Sequence, residues 1–189
     1  MALRATIHKA DLDLADLDRQ HFESASLTLA RHPSETEERL MVRLLAWALF
    51  AGPGLAFGRG LSAEDEPALA LTTADGRISL WVEVGLPDAR AVRRALGRAE
   101  QVVVLAYGAR RLPAWWASER EALALPRLTV LVLPAEPSAW LAARAARNMS
   151  AQCTIQEGRV WWTLGDETLE FVPEAWWVGQ GGAPWPRHG

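Results

Sequence analysis

Residues 101 to 108, QVVVLAYG, form a continuous apolar run that is rich in β-branched side chains. Such a run is typical of a central strand covered on both faces, because a half-exposed strand alternates apolar and polar residues. Helical patterns flank it: PDARAVRRALGRAE precedes the run, and a short aromatic helix around Trp115 follows it. A second apolar run, LTVLVLP, comes next. This order predicts a β-sheet with helices packed on it.

Further strands are predicted towards both ends of the chain. Residues 3 to 14 and the stretch FESASLTLAR flank a turn and predict an N-terminal antiparallel hairpin. Near the C-terminus, QCTIQ, RVWWTL and TLEFV are separated by the turn pairs Glu157-Gly158 and Gly165-Asp166. These elements predict an α/β (α+β) fold with a mixed central β-sheet flanked by helices, an N-terminal hairpin and C-terminal antiparallel strands.

One domain is expected over residues 1 to 178. The length of 189 residues suits a single hydrophobic core, and no repeat or linker divides the chain. The last stretch, GQGGAPWPRHG, has no periodicity. It predicts a mobile tail over residues 179 to 189.

The clearest helical pattern is HPSETEERLMVRLLAWALFAGPG. Ser34 and Glu37 have the spacing of a capping box, which predicts Ser34 as the N-cap of this helix. An apolar stripe follows, and the Gly-Pro-Gly run ends the helix. Glu38 lies at the edge of the stripe, where it is either a solvated first-turn acid or a site carboxylate.

Composition and motifs exclude several kinds of protein. The formal net charge of −3 argues against a surface that is basic throughout, although not against a local basic patch. Cys153 is the only cysteine, so neither a disulfide framework nor a cysteine metal cluster is expected. No secretory signal pattern, membrane-length apolar run or phosphate-binding G-x-x-x-x-G-K-[ST] motif is present. A cytoplasmic protein is expected, with no membrane or disulfide-linked partner, and a monomer is favoured.

Acidic residues near strand ends are candidate ligands for a hard cation. The stretch SAEDEP places Glu64, Asp65 and Glu66 just before a strand. In the strand LWVEVG, alternation puts Trp81 and Glu83 on the face opposite the valines. A carboxylate in such an apolar strand needs a basic partner or a bound cation. An ion pair, a solvated loop and a metal site therefore remain alternatives for these acids.

The basic residues are 19 arginines and one lysine, Lys9. Arg90, Arg94 and Arg98 recur every four residues after Glu83. Such a stripe either holds phosphates or forms a solvated helix face. Strand alternation puts Lys9 on the same face as Ile7, which predicts that the lysine side chain points inward.

The chain contains ten tryptophans, and six of them form the pairs Trp115–Trp116, Trp161–Trp162 and Trp176–Trp177. On a strand, one ring of such a pair faces the core while the other faces outward. The pairs either fill core volume and cover sheet faces, or provide a stacking platform for bases.

Five stretches match one family: MALRATIHKA, SLTLARHPSETEERLMVRLLAW, DEP, LWVEVGLPD and CTIQEGRVWW. Through them the chain resembles the bacterial YaeQ proteins from residue 1 to about residue 177. YaeQ proteins have a variant of the PD-(D/E)XK nuclease fold. The resemblance therefore implies this fold and a divalent-metal-dependent phosphodiesterase or endonuclease that acts on nucleic acid.

The resemblance also implies roles for individual residues. Asp65 corresponds to the motif aspartate, Glu83 to the strand glutamate and Glu38 to a helix carboxylate, and together they would bind Mg²⁺ or Mn²⁺. The motif lysine is missing, because the position two residues after Glu83 is Gly85. Lys9 is the expected substitute.

A second basic group remains an alternative to that lysine: Arg39, which is adjacent to Glu38. Arginine, however, is a poor proton-transfer partner. The residues expected to contact nucleic acid are Arg39, Arg90, Arg94 and Arg98. The rival hypothesis is a non-catalytic descendant that binds nucleic acid or protein through a degenerate nuclease site. The missing motif lysine and the negative net charge favour it.

Overall fold

The computed structural model describes residues 4 to 58 and 66 to 185. These residues form a mixed α+β fold with two mixed sheets and four helices. In chain order the elements are β1 (Thr6–Asp16), β2 (His21–Arg31), α1 (Glu37–Phe50), β3 (Leu55–Phe57), β4 (Leu69–Thr72), β5 (Ile78–Val84), α2 (Ala89–Leu96), β6 (Ala99–Ala106), α3 (Leu112–Glu119), β7 (Leu128–Val132), α4 (Ala135–Ala142), β8 (Asn148–Gln156), β9 (Arg159–Leu164), β10 (Glu167–Phe171) and β11 (Glu174–Val178).

Sheet A contains five strands in the order β10-β9-β8-β1-β2, and sheet B contains six in the order β11-β7-β6-β5-β4-β3. In sheet A, β1 pairs antiparallel with β2 and parallel with β8. In sheet B, β5, β6 and β7 are parallel, while β4 and β11 are antiparallel to their neighbours. The α+β class, the N-terminal hairpin and the C-terminal antiparallel strands are confirmed.

Sheet B is the predicted mixed sheet flanked by helices, and the structure adds a second sheet, sheet A, that was not predicted as separate. Because β1 pairs with β8, the N-terminal hairpin and the C-terminal strands form a sheet of their own. Strands β3 and β11 were not predicted, and they extend sheet B at its two edges. β3 is only three residues long, and β11 is interrupted by a bulge, so neither has a clear alternating pattern.

Helix α1 lies between the two sheets. All its residues from Leu40 to Phe50 are buried. All of them except Arg43 belong to one apolar cluster with residues from the inner faces of both sheets. The helix is therefore covered on every side, whereas a surface helix would bury a single stripe.

Helix α1 begins at Glu37, with Thr36 as its N-cap. The Thr36 hydroxyl accepts a hydrogen bond from the Arg39 backbone N–H at 3.1 Å. The prediction of Ser34 as N-cap is wrong, because a backbone turn precedes the helix and the Ser34 hydroxyl instead bonds the His32 ring at 2.6 Å. This shift places Glu38 and Arg39 in the first turn of α1.

Lys9 lies on the outer face of sheet A, so the prediction that its side chain points inward is wrong. The lysine is exposed, and Ile7 on the same face is 48 % exposed. The inner face of β1 carries the intervening residues, His8, Ala10, Leu12 and Leu14. The three apolar residues among them fix the phase of the strand, because a shift by one residue would expose them all.

The beginning of the predicted mobile tail is packed. Trp185 is 6 % exposed, and its indole N–H donates to the Pro173 carbonyl at 3.1 Å. The Thr129 hydroxyl donates to the Ala183 carbonyl at 2.7 Å. The prediction of a mobile tail is therefore wrong for residues 179 to 185.

Helices α2 and α3 cover the face of sheet B that is turned away from α1. Their apolar residues form a second cluster with Trp81, Val102, Val104 and Val130. Of the helices that the structure describes, none has both the length and the hydropathy needed to cross a membrane.

Candidate functional site

The carboxyl ends of β5, β6 and β7 lie at one edge of sheet B, here called the carboxyl edge. In sheets with parallel strands, ligands bind at this edge, where the loops after the strands gather. Glu83 is the next-to-last residue of β5, Tyr107 follows β6, and Ser138 lies in α4 after β7. A ligand-binding site is therefore expected at the carboxyl edge.

Glu83 is a partly buried carboxylate with few donors around it. It faces the α2 side of sheet B with Trp81, as the alternation predicts. The described residues give it two hydrogen bonds, from the Trp81 indole N–H and from its neighbour's backbone N–H, both at 3.4 Å. Burial raises the pKa of Glu83, and the nearby charge of Arg39 opposes that rise. Glu83 is thus a carboxylate whose ionised form is poorly compensated.

A cleft opens beside Glu83, between β5 and α2. Trp81, Glu83, Arg94 and Arg98 are among its lining residues. The Arg98 guanidinium lies 5.3 Å from the centre of the Trp81 ring. The structure therefore brings two of the predicted arginines to the same cleft as the predicted strand glutamate.

Gly85 ends β5 with a backbone φ of +120°, a conformation that side chains with a Cβ rarely adopt. Its N–H donates to the Leu105 carbonyl at 3.0 Å, so the bend is tied to β6. No atom lies within 4 Å of a Cβ built at this position. A lysine here would have room for its side chain but a strained backbone. The fold itself therefore disfavours the lysine that the motif lacks.

Glu38 lies across the carboxyl edge, on the side of α1. Its carboxylate accepts a hydrogen bond from the Ser138 hydroxyl of α4. Tyr107 is close to it, and burial raises the pKa of Tyr107 to about 12. The charge of Arg39 lowers this pKa, whereas the charge of Glu38 raises it further. Glu38 and Glu83 thus approach the edge from opposite faces of sheet B.

Arg39 is the cation common to both sides of the edge. Its charge acts on Glu83 and on Tyr107. The side chain is 13 % exposed, and its Nη1 donates to Glu35 Oε1 at 2.8 Å. The carboxylate of Glu35, which was not predicted from the sequence, therefore holds Arg39 in place.

Glu35 is fully buried and completely paired. Arg43 donates to both carboxylate oxygens of Glu35, at 2.8 Å each, and also to the Ala30 carbonyl at 2.9 Å. Burial lowers the pKa of Arg43, and the charge of Glu35 opposes that change. The pair fixes the start of α1 against β2 and orients Arg39.

Asp65 lies outside the described residues, as does Glu64. The described chain stops at Gly58, whose N–H donates to the Ala68 carbonyl at 3.0 Å, and resumes at Glu66. Within residues 4 to 58 and 66 to 185, no group of three or more His, Cys, Asp or Glu side chains could hold a metal ion. The predicted carboxylate set is thus represented by Glu38 and Glu83.

Lys9 is not part of this assembly. It lines a polar recess on the outer face of sheet A with Asp11, Ser26, Thr28 and Asn148. Because α1 packs on the inner face of that sheet, the sheet separates Lys9 from the carboxyl edge. The hypothesis that Lys9 replaces the motif lysine is therefore wrong.

A family model described as "YaeQ protein" matches residues 1 to 173 of the chain. The chain is 46% identical to the uncharacterized protein YaeQ of Salmonella typhi and 45% identical to that of Escherichia coli K12. Each alignment spans 177 residues, which is 93% of this chain and 98% of the relative. The chain belongs to the YaeQ family.

Solved YaeQ structures have the same fold. The YaeQ protein from Xanthomonas axonopodis pv. citri is 40% identical, with a TM-score of 0.87 over 91% of this chain and 98% of that one. The YaeQ protein from Pseudomonas syringae is also 40% identical, with a TM-score of 0.88 over 94% and 98% of the two chains. The predicted resemblance to the YaeQ proteins is therefore confirmed, and this chain has the fold of solved YaeQ proteins. The relation of that fold to the PD-(D/E)XK nucleases stays a prediction.

Sequence reasoning on this YaeQ-family chain missed three residues near the carboxyl edge: Glu35, Tyr107 and Ser138. Arg39 lies four residues after Glu35 and Arg43 lies eight residues after it, and this repeated spacing of four could have predicted the ion-pair cluster. Tyr107 is the only tyrosine and is the next-to-last residue of the apolar run QVVVLAYG. No sequence signal points to Ser138, because its contact with Glu38 joins two helices 100 residues apart.

Proposed function

We propose that the carboxyl edge of sheet B is a PD-(D/E)XK-like site for phosphodiesters of nucleic acid. The proposed ligands of Mg²⁺ or Mn²⁺ are Glu83, Glu38 and Asp65. A bound divalent cation supplies an activated water and neutralises phosphate charge. The family resemblance supplies this assignment of roles, and the surroundings of Glu83 support it.

The incomplete hydrogen bonding of Glu83 carries the proposal. Its two hydrogen bonds within the described residues are long, and burial raises its pKa. A cation bound to the carboxylate would favour its ionised form and provide the charge that the surroundings lack. Carboxylate oxygens are also the protein donors that Mg²⁺ prefers.

Arginines around the cleft fit a polyanionic substrate. Arg94 and Arg98 line the cleft beside Glu83, and Arg90 is exposed one turn earlier on α2. Arg39 donates one hydrogen bond, from Nη1, to Glu35, and its positive charge acts on Glu83 at the carboxyl edge. We assign phosphate contact to these four residues, since guanidinium groups suit phosphate geometry.

Calorimetric titration of Mn²⁺ into the wild type and Glu83→Gln tests the metal site. We expect the wild type to take up Mn²⁺ and the variant to bind it roughly tenfold more weakly or worse, because a ligand is lost while the side-chain shape is kept. Glu121→Gln, at an exposed position after α3, is the matched control and should bind as the wild type does. Equal uptake by Glu83→Gln and the wild type would refute the metal site.

A non-catalytic nucleic-acid-binding module is the second candidate, and Gly85 favours it. The positive φ of Gly85 disfavours the motif lysine at its usual position, and the only lysine of the chain lies on the outer face of sheet A. A site without that lysine lacks its usual means of activating the attacking water. The degenerate site would then bind phosphodiesters without cleaving them.

Oligonucleotide hydrolysis with Mn²⁺ separates the two candidates. Product formation by the wild type above the level of Glu83→Gln supports the phosphodiesterase. Binding that weakens in Arg90→Gln and Arg94→Gln, with product no higher than in Glu83→Gln, supports the non-catalytic module. Both variants change exposed residues of α2, so that their folding is expected to be preserved.

A further inference from the structure

The charge of the chain is unevenly distributed. Residues 86 to 127, which include α2 and α3, contain eight arginines and four acidic residues, a net charge of +4. Since the whole chain carries −3, the remaining residues carry −7. The basic segment covers the face of sheet B that holds the Glu83 cleft. A polyanion would therefore be drawn to this face rather than to sheet A.

Three partly exposed tryptophans lie together on this face: Trp115 and Trp116 of α3, and Trp176 of β11. The ring centres of Trp115 and Trp116 are 5.8 Å apart with planes at 41°, and those of Trp116 and Trp176 are 5.3 Å apart at 58°. These angles are too large for the indoles to stack on one another in parallel. Each ring packs partly on the second apolar cluster and is also partly exposed to solvent.

The backbone of β11 favours this exposure of Trp176. The pairing of β11 with β7 shifts register between Ala175 and Trp177, so Trp176 is the extra residue of a bulge. A bulge redirects its side chain, and bulges are common at sites of function. Both Trp176 and Trp177 pack on the second apolar cluster, but the Trp177 indole N–H donates to the Leu125 carbonyl at 2.9 Å, whereas the Trp176 indole N–H donates to the exposed Glu174 carboxylate at 3.1 Å.

The trio is tied to the loop that follows Glu83. The Trp115 indole N–H donates to the Pro87 carbonyl at 2.8 Å. Glu119, on the same helix, accepts a hydrogen bond from the Ala89 N–H at the start of α2 at 2.9 Å. The exposed Arg110 and Arg111 immediately precede α3. Aromatic rings and arginines thus continue from the cleft over α3.

We propose that Trp115, Trp116 and Trp176 form a stacking platform for unpaired bases, and that the nucleic acid this chain takes is single-stranded. Bases of a duplex are stacked on each other and present only their edges, whereas unpaired bases offer their faces to aromatic rings. The flanking arginines hold the backbone. This inference rests on the proposed function in one respect, the choice of nucleic acid as ligand.

Fluorescence anisotropy tests the platform without metal, in the presence of EDTA. The probes are a fluorescein-labelled 20-nucleotide oligothymidylate and a labelled duplex of the same length. We expect the wild type to bind the single strand more tightly than the duplex. Trp116→Ala and Trp176→Ala should each weaken single-strand binding roughly fivefold or more, while Trp116→Phe, which keeps a ring, should retain most of it.

Trp161→Ala is the matched control, because Trp161 is a partly exposed tryptophan on β9 of sheet A. Its variant should bind the single strand as the wild type does. Circular dichroism of each variant shows whether the fold is kept. If Trp116→Ala unfolds, Trp176→Ala, which changes a residue on an edge strand, tests the platform alone. Tighter duplex binding, or equal losses in Trp161→Ala and Trp176→Ala, would overturn the platform.

The wild type binding neither probe would also overturn the inference, and a protein partner would then be the better candidate for this face. The metal site is judged separately by Mn²⁺ uptake in wild type and Glu83→Gln. Failure of the platform with retained Mn²⁺ uptake therefore leaves the proposed metal site standing. The reverse result leaves a single-strand-binding surface without a metal site.

Discussion

Glu35 and Glu83 are two carboxylates that differ in burial and in how fully their oxygens are hydrogen-bonded. Glu35, two residues before α1, receives hydrogen bonds from Arg39 and from Nε and Nη2 of Arg43, at 2.8 Å each. Glu83, at the end of β5, receives two bonds of 3.4 Å within the described residues. Burial raises the pKa of Glu83, with Arg39 opposing the change from a distance.

The difference indicates that Glu35 is a structural carboxylate, whereas Glu83 is available to bind a ligand. A buried charge with a full set of charge-assisted hydrogen bonds holds elements together and has little capacity for a ligand. A carboxylate that lacks such donors is costly to ionise and gains most from an added cation. On this basis the region around Glu35 supports the carboxyl edge, and the region around Glu83 is where a ligand would act.

Arg43→Met should have the largest effect, because it leaves Glu35 buried without its main partner. We expect a loss of about 3–5 kcal/mol in the free energy of unfolding, measured by urea denaturation. The double variant Glu35→Met/Arg43→Met should recover part of the loss, since no buried charge then remains unpaired. A loss in the single variant below about 1 kcal/mol would show that the pair does not hold α1 in place.

Gly85→Lys should have the next largest effect. We expect the free energy of unfolding to fall by about 1–3 kcal/mol, because a residue with a Cβ is strained at a φ of +120°. Gly85→Ala is the matched variant and should cost nearly as much, since the strain is in the backbone. A clearly larger loss in the lysine variant would instead point to its charge.

Glu83→Gln should change how stability depends on pH. The folded protein holds the Glu83 proton at pH values where the unfolded chain, with a glutamate pKa of about 4.3, has lost it. The free energy of unfolding of the wild type therefore falls as pH rises from about 4.3 through the raised pKa.

Glu83→Gln lacks this fall, because glutamine does not titrate. Urea denaturation across a pH series measures the difference between the two proteins, with Glu121→Gln as the exposed control. Parallel profiles for the wild type and Glu83→Gln would mean that the pKa of Glu83 is not raised.

Lys9→Met should have the smallest effect. Lys9 is exposed on the outer face of sheet A, so we expect a change within about 0.5 kcal/mol in unfolding free energy and unchanged Mn²⁺ uptake. A loss of Mn²⁺ uptake comparable with that of Glu83→Gln would return Lys9 to the site and contradict its separation from the carboxyl edge.

Local patterns predicted most of the fold, and long-range pairing accounts for most of what they missed. The helices, the central run and the hairpins each have a periodicity within a short window. The split into two sheets depends on β1 pairing with β8, about 140 residues away, which no local pattern records. Lys9 faces outward because Ala10, Leu12 and Leu14 are buried on the opposite face of β1, while Ile7, on the same face as Lys9, is exposed.

The site was predicted in part. Alternation in β5 correctly put Glu83 on the same face as Trp81, whereas the arginine spacing did not predict that Arg94 and Arg98 line the same cleft. The position of Glu38 across the edge and the pairing of Arg39 with Glu35 depend on how α1 is buried between the sheets. The sequence shows only that glycine stands at position 85, where the motif has lysine. The positive φ of Gly85 gives a backbone reason for that glycine.

The most direct test of this contrast is the pKa of the Glu83 carboxyl group, measured by ¹³C NMR with and without Mg²⁺. The signal is assigned by its loss in Glu83→Gln. We expect the pKa to lie above the ordinary glutamate value of about 4.3 without metal and to fall when Mg²⁺ is added. A Glu83 carboxyl group that titrates near its ordinary value, or whose pKa Mg²⁺ does not change, would contradict the account.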